Sequence, residues 1–247
     1  MKCILFDVRR AVAGRWFLAA LIATTAALYL SVGQATYGLI GYLESYELFE
    51  ENSFWYSMTD LLTMGMKGDF GLLTLPALSA LPFAAQALHE IKSGAIRPAV
   101  FRAGRKNWII GKAAGCIISG MLLQGAAVGL LFLILNGLMV TMTGQNFPWG
   151  EGEDFWLLIF NRMLCGGIWA GIGCVIALAT ETASAAYLAP LCLCYALMMI
   201  GTRFFPDAAM LNPMQWVSGA AWLLIVLLVL TIALQVLFLK RGVQKYA

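Results

Sequence analysis

Charged side chains are scarce in this sequence. Only 12% of its 247 residues are Asp, Glu, Lys or Arg, while 61% are hydrophobic and the mean hydropathy is +0.81. A soluble domain carries about 25% charged residues and about 45–50% apolar ones. Because a protein core cannot bury such an excess of apolar surface, the composition predicts a chain for which lipid is the main solvent.

The residues that most enzymes and metal sites need are also missing from the sequence. His89 is the one histidine, so the stretch that it begins, His-Glu-Ile-Lys-Ser, lacks the second histidine of a zinc-protease motif. The six cysteines form no CxxC pair, and neither a Gly-x-Ser-x-Gly motif nor a GxxxxGK[ST] phosphate loop occurs. We therefore predict no catalytic residue, no metal site and no cofactor on this chain. If ATP and Mg²⁺ drive the protein, another chain must bind them.

Six stretches are long enough to cross the hydrocarbon core as helices, which takes about 20 mostly apolar residues. They cover approximately residues 16–39, 70–88, 109–140, 155–179, 185–202 and 217–239. None carries a carboxylate near its middle, the usual part of a proton or sodium relay. Arg162 and Arg203 lie near span ends, from which we expect their long side chains to reach water.

The distribution of charge predicts how these spans are oriented. Thirteen of the 16 basic residues fall on one side of the spans: Lys2, Arg9, Arg10, Arg15, Lys92, Arg97, Arg102, Arg105, Lys106, Lys112, Lys240, Arg241 and Lys245. Ten of the 13 acidic residues fall on the other. The positive-inside rule then predicts an all-α polytopic membrane protein with six transmembrane helices and both termini in the cytoplasm. The short polar loops favour a bacterial cytoplasmic membrane.

The segments outside the spans have distinct characters, within a single transmembrane domain over residues 1–247. Residues 1–15 mix apolar and basic side chains at helical spacing, which predicts an interfacial helix in contact with lipid, or simply a solvated positive end. Residues 41–69 and 204–219 are predicted to be extracytoplasmic. The first contains Glu44, Glu47 and Glu50 at helical spacing, which predicts a surface helix or an acidic vestibule.

The segment between the second and third spans is the most informative. Gly94 and Gly104 predict a helix–turn–helix that protrudes from the membrane, with Gly94 ending the first helix. The segment also follows the pattern F-x(6)-E-x(3)-G, with a basic stretch and then Gly-Lys at the third span. The matching residues are Phe83, Glu90, Gly94, Arg97, Arg102, Arg105, Gly111 and Lys112. In this pattern, and in its six-span topology, the sequence resembles the permeases of the type-2 ABC exporter family.

That resemblance implies a function for the segment over residues 88–108. It would be the coupling segment that docks on a separate ABC ATPase subunit, with a contact set of Glu90, Lys92, Gly94, Arg97, Arg102 and Arg105. The alternative is an ordinary cytoplasmic hairpin whose charges only orient the protein. The loop over residues 204–219 would lie near an outer gate, with Pro206, Asn212 and Pro213 as its candidate residues.

We therefore expect an export permease that works as a dimer, with a second copy of itself or with a related permease. Because the spans hold few polar groups, a hydrophobic or amphipathic cargo such as a drug, a lipid or a membrane-active peptide is favoured. The first, second and fifth spans would line its pathway. Nucleic acid is not an expected partner. A membrane scaffold or sensor without transport, and an ion-coupled secondary transporter, are the alternatives.

Overall fold

The fold consists of helices. The structure is a computed structural model that describes residues 2–45, 57–144, 146, 148–150, 154–205, 211–219 and 221–246, and within these ranges it has no strand. A short 3₁₀ helix covers Pro213–Gln215. The α-helices are α1 Lys2–Val12, α2 Arg15–Ser45, α3 Met58–Lys67, α4 Asp69–Ala80, α5 Gln86–Lys92, α6 Ile96–Ala103, α7 Arg105–Thr143, α8 Phe155–Thr180, α9 Ala185–Phe204 and α10 Ala221–Tyr246. The predicted all-α fold class is confirmed.

Five helices of the described chain are long and apolar enough to cross a membrane, namely α2, α7, α8, α9 and α10. Large apolar side chains such as Leu30, Leu133 and Leu237 are exposed on the outside of the bundle. Exposed apolar surface on this scale is what a lipid environment covers. The chain is therefore a polytopic membrane protein, and five of the six predicted spans have a matching helix.

The second predicted span, residues 70–88, is not one continuous helix. Helix α4 ends at Ala80, turns cover residues 81–85, and α5 begins at Gln86. Pro82 has no backbone N–H to donate to a carbonyl one turn earlier. The chain on either side of it makes tighter turn bonds, from Leu81 N to Leu78 O (3.3 Å) and from Gln86 N to Phe83 O (3.0 Å). The apolar pattern predicted one membrane-spanning helix here, and the missing N–H of Pro82 accounts for the interruption of that helix.

Helix α3 lies in the segment over residues 41–69 that was predicted to be extracytoplasmic. It begins with a capping box, in which Ser57 and Asp60 each accept a hydrogen bond from the other's backbone N–H. Its buried face packs against α2, α7 and α8 through Met58, Leu61, Leu62 and Met66. Only Gly68, in an extended conformation, separates α3 from α4. Residues 46–56, with the predicted surface-helix positions Glu47 and Glu50, lie outside the described residues.

Helices α7 and α8 approach closely at two glycines. A Cβ on Gly120 would lie 2.5 Å from the carbonyl oxygen of Gly166, and a Cβ on Gly166 would lie 2.6 Å from that of Gly120. Pairs of glycines four residues apart (GxxxG) predict close helix contacts in membranes, and neither glycine belongs to the three pairs of these spans, Gly111/Gly115, Gly125/Gly129 and Gly167/Gly171. In one such pair, Gly125 faces Met163 whereas Gly129 faces open space. Gly167, a member of another pair, does lie against α7, since a Cβ there would lie 2.8 Å from Cγ of Met121. Small residues therefore bring these two helices together at positions that the short motif identifies only in part.

One end of the bundle, here called the basic end, collects the short helices and most of the cations. Helix α1 packs on α7, α6 packs on α7 and α10, and α5 packs on α8 and α10. The last turn of α10 reaches α8 through Lys245, whose Nζ lies 2.7 Å from a carboxylate oxygen of Glu181. Helix α1 confirms the predicted N-terminal helix, and its Leu5 and Phe6 are exposed. The basic segments that the sequence assigns to one side therefore lie together.

Candidate functional site

Glu90 lies on the buried face of α5 at the basic end. This helix has seven residues, and its buried positions are Ala87, Leu88, Glu90 and Ile91. The two glycines predicted to end and bend the segment both have positive φ, 75° at Gly94 and 79° at Gly104. A residue with a Cβ is strained at such angles, which explains the requirement for glycine. The predicted helix–turn–helix is confirmed in α5 and α6.

The Glu90 carboxylate accepts hydrogen bonds from three side chains on two other helices. Its Oε1 lies 2.8 Å from Nζ of Lys112 on α7 and 3.0 Å from a guanidinium nitrogen of Arg10 on α1. Its Oε2 lies 3.2 Å from the indole nitrogen of Trp108, which is buried in the first turn of α7. Glu90 itself is 9% exposed. It therefore acts inside the protein rather than on its surface.

Lys112 completes the cluster by pairing with a second carboxylate. Its Nζ lies 2.7 Å from Oδ1 of Asp7 on α1, and both side chains are 4% exposed. The ammonium also lies 5.3 Å from the ring centre of Phe83, a favourable cation–π distance. With Arg10, the cluster contains two carboxylates and two cations, so its formal charge is balanced. It joins α1, α5 and α7.

Asp7 was not among the residues selected from the sequence. The available signal was that Asp7 is the only acidic residue before Glu44, in a segment otherwise made of apolar and basic residues. An isolated carboxylate in that setting indicates an internal partner. Lys112 was selected only as part of the Gly-Lys match and as an orienting charge.

The cluster keeps Glu90 ionised. Burial raises the pKa of Glu90, because a carboxylate loses hydration there, but the hydrogen bond and charge attraction of Lys112 oppose that effect and Trp108 adds a donor. The pKa of Glu90 consequently lies below its usual value of 4.5. At neutral pH Glu90 is therefore a carboxylate.

The other residues of the predicted contact set face outwards. Lys92, Gly94, Arg97, Arg102 and Arg105 are all exposed. Arg102 borders a groove of about 620 Å³ between α1, α5 and α6, which Arg10, Gln86 and His89 also line. Arg105 donates to the backbone carbonyl of Lys240 on α10 (3.4 Å). The structure therefore divides the predicted set into Glu90, which fixes the segment from inside, and exposed residues at its surface.

Two of the predicted outer-gate residues, Asn212 and Pro213, lie at the opposite end. Pro206 is outside the described residues. The side-chain oxygen of Asn212 accepts a hydrogen bond from Met214 N (3.1 Å), and Pro213 is buried at the start of the 3₁₀ helix. The following Trp216 stacks on Trp169 of α8, with ring centres 5.6 Å apart. This segment is therefore packed firmly on α8.

Arg162 does not reach water, so the prediction that it does is wrong. Its side chain is fully buried. Hydrogen bonds to backbone carbonyls at the interruption between α3 and α4 replace the water that the guanidinium loses. The guanidinium bonds to the carbonyl oxygens of Met66 (2.7 Å) and Gly71 (3.0 Å), and to the side-chain oxygen of Gln124 (3.2 Å). The last turn of a helix leaves carbonyls without intrahelical donors, and Arg162 satisfies that of Met66 at the end of α3. Gly71 lies in the first turn of α4, so its carbonyl receives the guanidinium as an additional donor.

No protein-family model matches this sequence, and a comparison with curated proteins gives no match.

Proposed function

We propose that this chain is the membrane-spanning permease subunit of an ATP-driven exporter of the type-2 ABC class. The observation that carries the proposal is the ion cluster that fixes α5 against α1 and α7, in which Lys112 pairs with Asp7 and Glu90 inside the protein and the half-exposed Arg10 pairs with Glu90. A short, exposed and basic helical pair held rigidly on a membrane-spanning helix is the part that a coupling segment requires.

The proposed topology has six crossings with both termini in the cytoplasm. Helices α3 and α4 together supply the second crossing, since their 10 and 12 residues span about 33 Å at 1.5 Å per residue. The hydrocarbon core is about 30 Å thick. The basic end then faces the cytoplasm, in agreement with the positive-inside rule. A bacterial cytoplasmic membrane is the proposed location.

The cluster gives α5 and α6 a mechanical connection to the membrane. A partner that pushes on the exposed face of α6 moves α5, and the ion pairs of Glu90 pass that displacement to α7 at Lys112 and to α1 at Arg10. Small rigid-body shifts of packed helices are a common form of switching. ATP and Mg²⁺ are assigned to a separate ABC ATPase subunit.

The proposed assembly has two permease chains, as a homodimer or with a related permease, and two ATPase subunits. The cargo is proposed to be a hydrophobic or amphipathic molecule, such as a drug, a lipid or a membrane-active peptide. The large exposed apolar surfaces of α2 and α10 leave room for both a second copy and lipid.

The experiment is purification of the tagged protein from its native membrane in mild detergent, with identification of co-purifying chains and an ATPase assay in lipid nanodiscs. Glu90→Gln removes the internal charge, and Glu181→Gln is its matched control at the same end. Glu181 pairs with Lys245 on the surface, where the two side chains are 49% and 62% exposed. We expect a stoichiometric ATP-binding subunit whose hydrolysis is uncoupled by Glu90→Gln and unchanged by Glu181→Gln.

A second variant tests the exposed face separately. The double charge reversal of Arg97 and Arg102 to Glu leaves the buried cluster in place, so the permease should fold but lose the ATPase subunit. Purification of the chain alone, or with a partner that hydrolyses no ATP, would contradict the proposal and favour a scaffold. Transport that follows an ion gradient and continues after ATP depletion would favour a secondary transporter.

A further inference from the structure

Helix α3 has two faces of opposite character although it packs within a membrane bundle. One face is fully buried against the main core and contains Leu61, Leu62 and Met66. The opposite side carries Asp60, Thr63 and Lys67, at the i, i+3 and i+7 spacing of a single helical stripe. In a bilayer such a stripe requires water or protein beside it, because lipid satisfies neither charges nor hydroxyl groups.

The polar stripe of α3 lines a groove with the start of α8. The groove has a volume of about 290 Å³ and is bordered by Thr59, Asp60, Thr63, Lys67, Asp154, Phe155 and Leu158. Its charges are separated along the helix axis. The two carboxylates lie at the first turns of α3 and α8, while Lys67 is the last residue of α3. Among the described residues, Lys67 makes no ion pair.

Lys67 is exposed on the outer side of α3 but lies some way along the bundle axis from the start of that helix. Helices α3 and α8 start at the same end, where Met58 N bonds to Pro148 O in the chain leading to α8 (2.9 Å). They then run side by side, since Arg162 of α8 reaches the carbonyl of Met66 (2.7 Å). Lys67 is seven residues beyond Asp60, about 10 Å further along the helix. Arg162 is a buried cation next to this position.

We propose that the groove is a water-filled vestibule, open at the end opposite the basic end, in which Lys67 receives an anionic group of the transported molecule. The inference rests on the proposed export function and assigns part of its pathway. Phosphate and carboxylate head groups of amphipathic molecules have the required chemistry. The carboxylates of Asp60 and Asp154 at the mouth suit a cationic group on the same molecule, so a zwitterionic amphipath fits both.

The first test is the reactivity of introduced cysteines with a membrane-impermeant thiosulfonate, added from outside to right-side-out vesicles. Thr63→Cys probes the stripe, and Leu30→Cys is the matched control. Leu30 is 61% exposed on α2, and its neighbours Leu28 and Val32 contact α3 at Gly65, so it lies at similar depth on the lipid-covered surface. Reactivity is measured above that of the unsubstituted protein.

We expect Thr63→Cys to react at least tenfold faster than Leu30→Cys. Equal rates would show that the stripe is not hydrated and would overturn the proposal. This test needs neither ATP nor cargo, so it can fail while the co-purification of an ATPase succeeds, and the reverse also holds.

The second test measures how Lys67 affects the electrostatic potential in the groove. The rates of an anionic and a cationic thiosulfonate at Thr63→Cys give a ratio that reports the local potential. Adding Lys67→Gln should lower the anionic-to-cationic ratio several-fold, and adding Asp154→Asn should raise it. Unchanged ratios in both double variants would overturn the assignment of Lys67 as the receiving cation.

Discussion

The ammonium of Lys112 lies 2.7 Å from Oδ1 of Asp7, although the two residues are 105 positions apart in the chain. The same nitrogen lies 2.8 Å from Glu90, so one side chain connects three helices at the basic end. Removing ions from water is costly, and a buried pair is weak evidence for stability by itself. What the cluster provides is a defined position for α5 relative to α1 and α7.

Removing the central cation should destabilise the protein severely. Lys112→Met leaves Asp7 and Glu90 buried with only Arg10 as a counter-charge. Breaking a buried pair in this way costs about 3–5 kcal/mol. We expect a clear fall in the thermal unfolding midpoint in detergent, followed by intrinsic tryptophan fluorescence. The control Lys245→Met removes an exposed pair, which is worth about 0–1 kcal/mol at most.

A compensated variant separates charge burial from a loss of packing. In the triple variant Asp7→Asn, Glu90→Gln, Lys112→Met, no carboxylate or ammonium of these three residues remains buried. Replacing a whole buried ionic set is often neutral or stabilising. The midpoint should therefore recover a large part of the loss. A Lys112→Met protein as stable as Lys245→Met would show that the cluster is not what fixes α5.

The stability contributed by Glu90 should depend on pH with a defined sign. Its folded pKa lies below its usual value of 4.5, so the contribution is present above that value and is lost as pH falls through the folded pKa. The difference in unfolding midpoint between the wild type and Glu90→Gln should be constant from about pH 7 to about pH 5 and shrink below about pH 4.5. A difference that grows on acidification would contradict the assignment.

The sequence predicted the helical class, five of the six spans and the turns of the segment over residues 88–108, because each depends on local information. Apolar runs of span length and glycines at turns need no knowledge of distant neighbours. Glu90 was also selected from the sequence, through the spacing between Phe83 and Gly94 in the family pattern. Asp7, the other carboxylate bound to Lys112, was not, because an ion pair over 105 positions leaves no local pattern.

Arg162 shows the limit of the same reasoning at the other end of the chain. An arginine near a span end is normally expected to reach water. Here the deciding fact is the interruption at Gly68, which exposes carbonyls that only tertiary structure brings to Arg162. The burial of α3 was missed for a related reason. Ten residues are too few to be recognised as part of a span when taken alone.

Replacing Arg162 should loosen the junction between α3 and α4. Arg162→Leu leaves the carbonyl of Met66 at the end of α3 without its donor and removes the additional donor of Gly71, and an unsatisfied buried group costs about 1–3 kcal/mol. Arg162→Lys restores the charge but lacks the fork that reaches both oxygens. Hydrogen–deuterium exchange should show faster exchange around residues 66–72 in both variants, more in Arg162→Leu. The control Arg203→Leu alters an exposed arginine and should leave this region protected.

The contact between α7 and α8 should tolerate no side chain at Gly120. In Gly120→Ala the new Cβ would lie 2.5 Å from the carbonyl oxygen of Gly166 and 2.7 Å from Cβ of Ala170. Relieving such overlaps forces the backbone apart, at a typical cost of about 1–3 kcal/mol. We expect a lower unfolding midpoint and a smaller fraction of protein that stays monodisperse on size-exclusion chromatography.

Gly129→Ala is the matched control on the same helix. Gly129 faces open space in the chain, so the added methyl meets no atom, and alanine is favoured over glycine in a helix by about 0.5–1 kcal/mol. The variant should be at least as stable as the parent. If Gly129→Ala instead lowers stability in the dimer as Gly120→Ala does, the open face of α7 is covered by the second copy. If Gly120→Ala leaves the unfolding midpoint unchanged, α7 and α8 do not approach each other closely at Gly120.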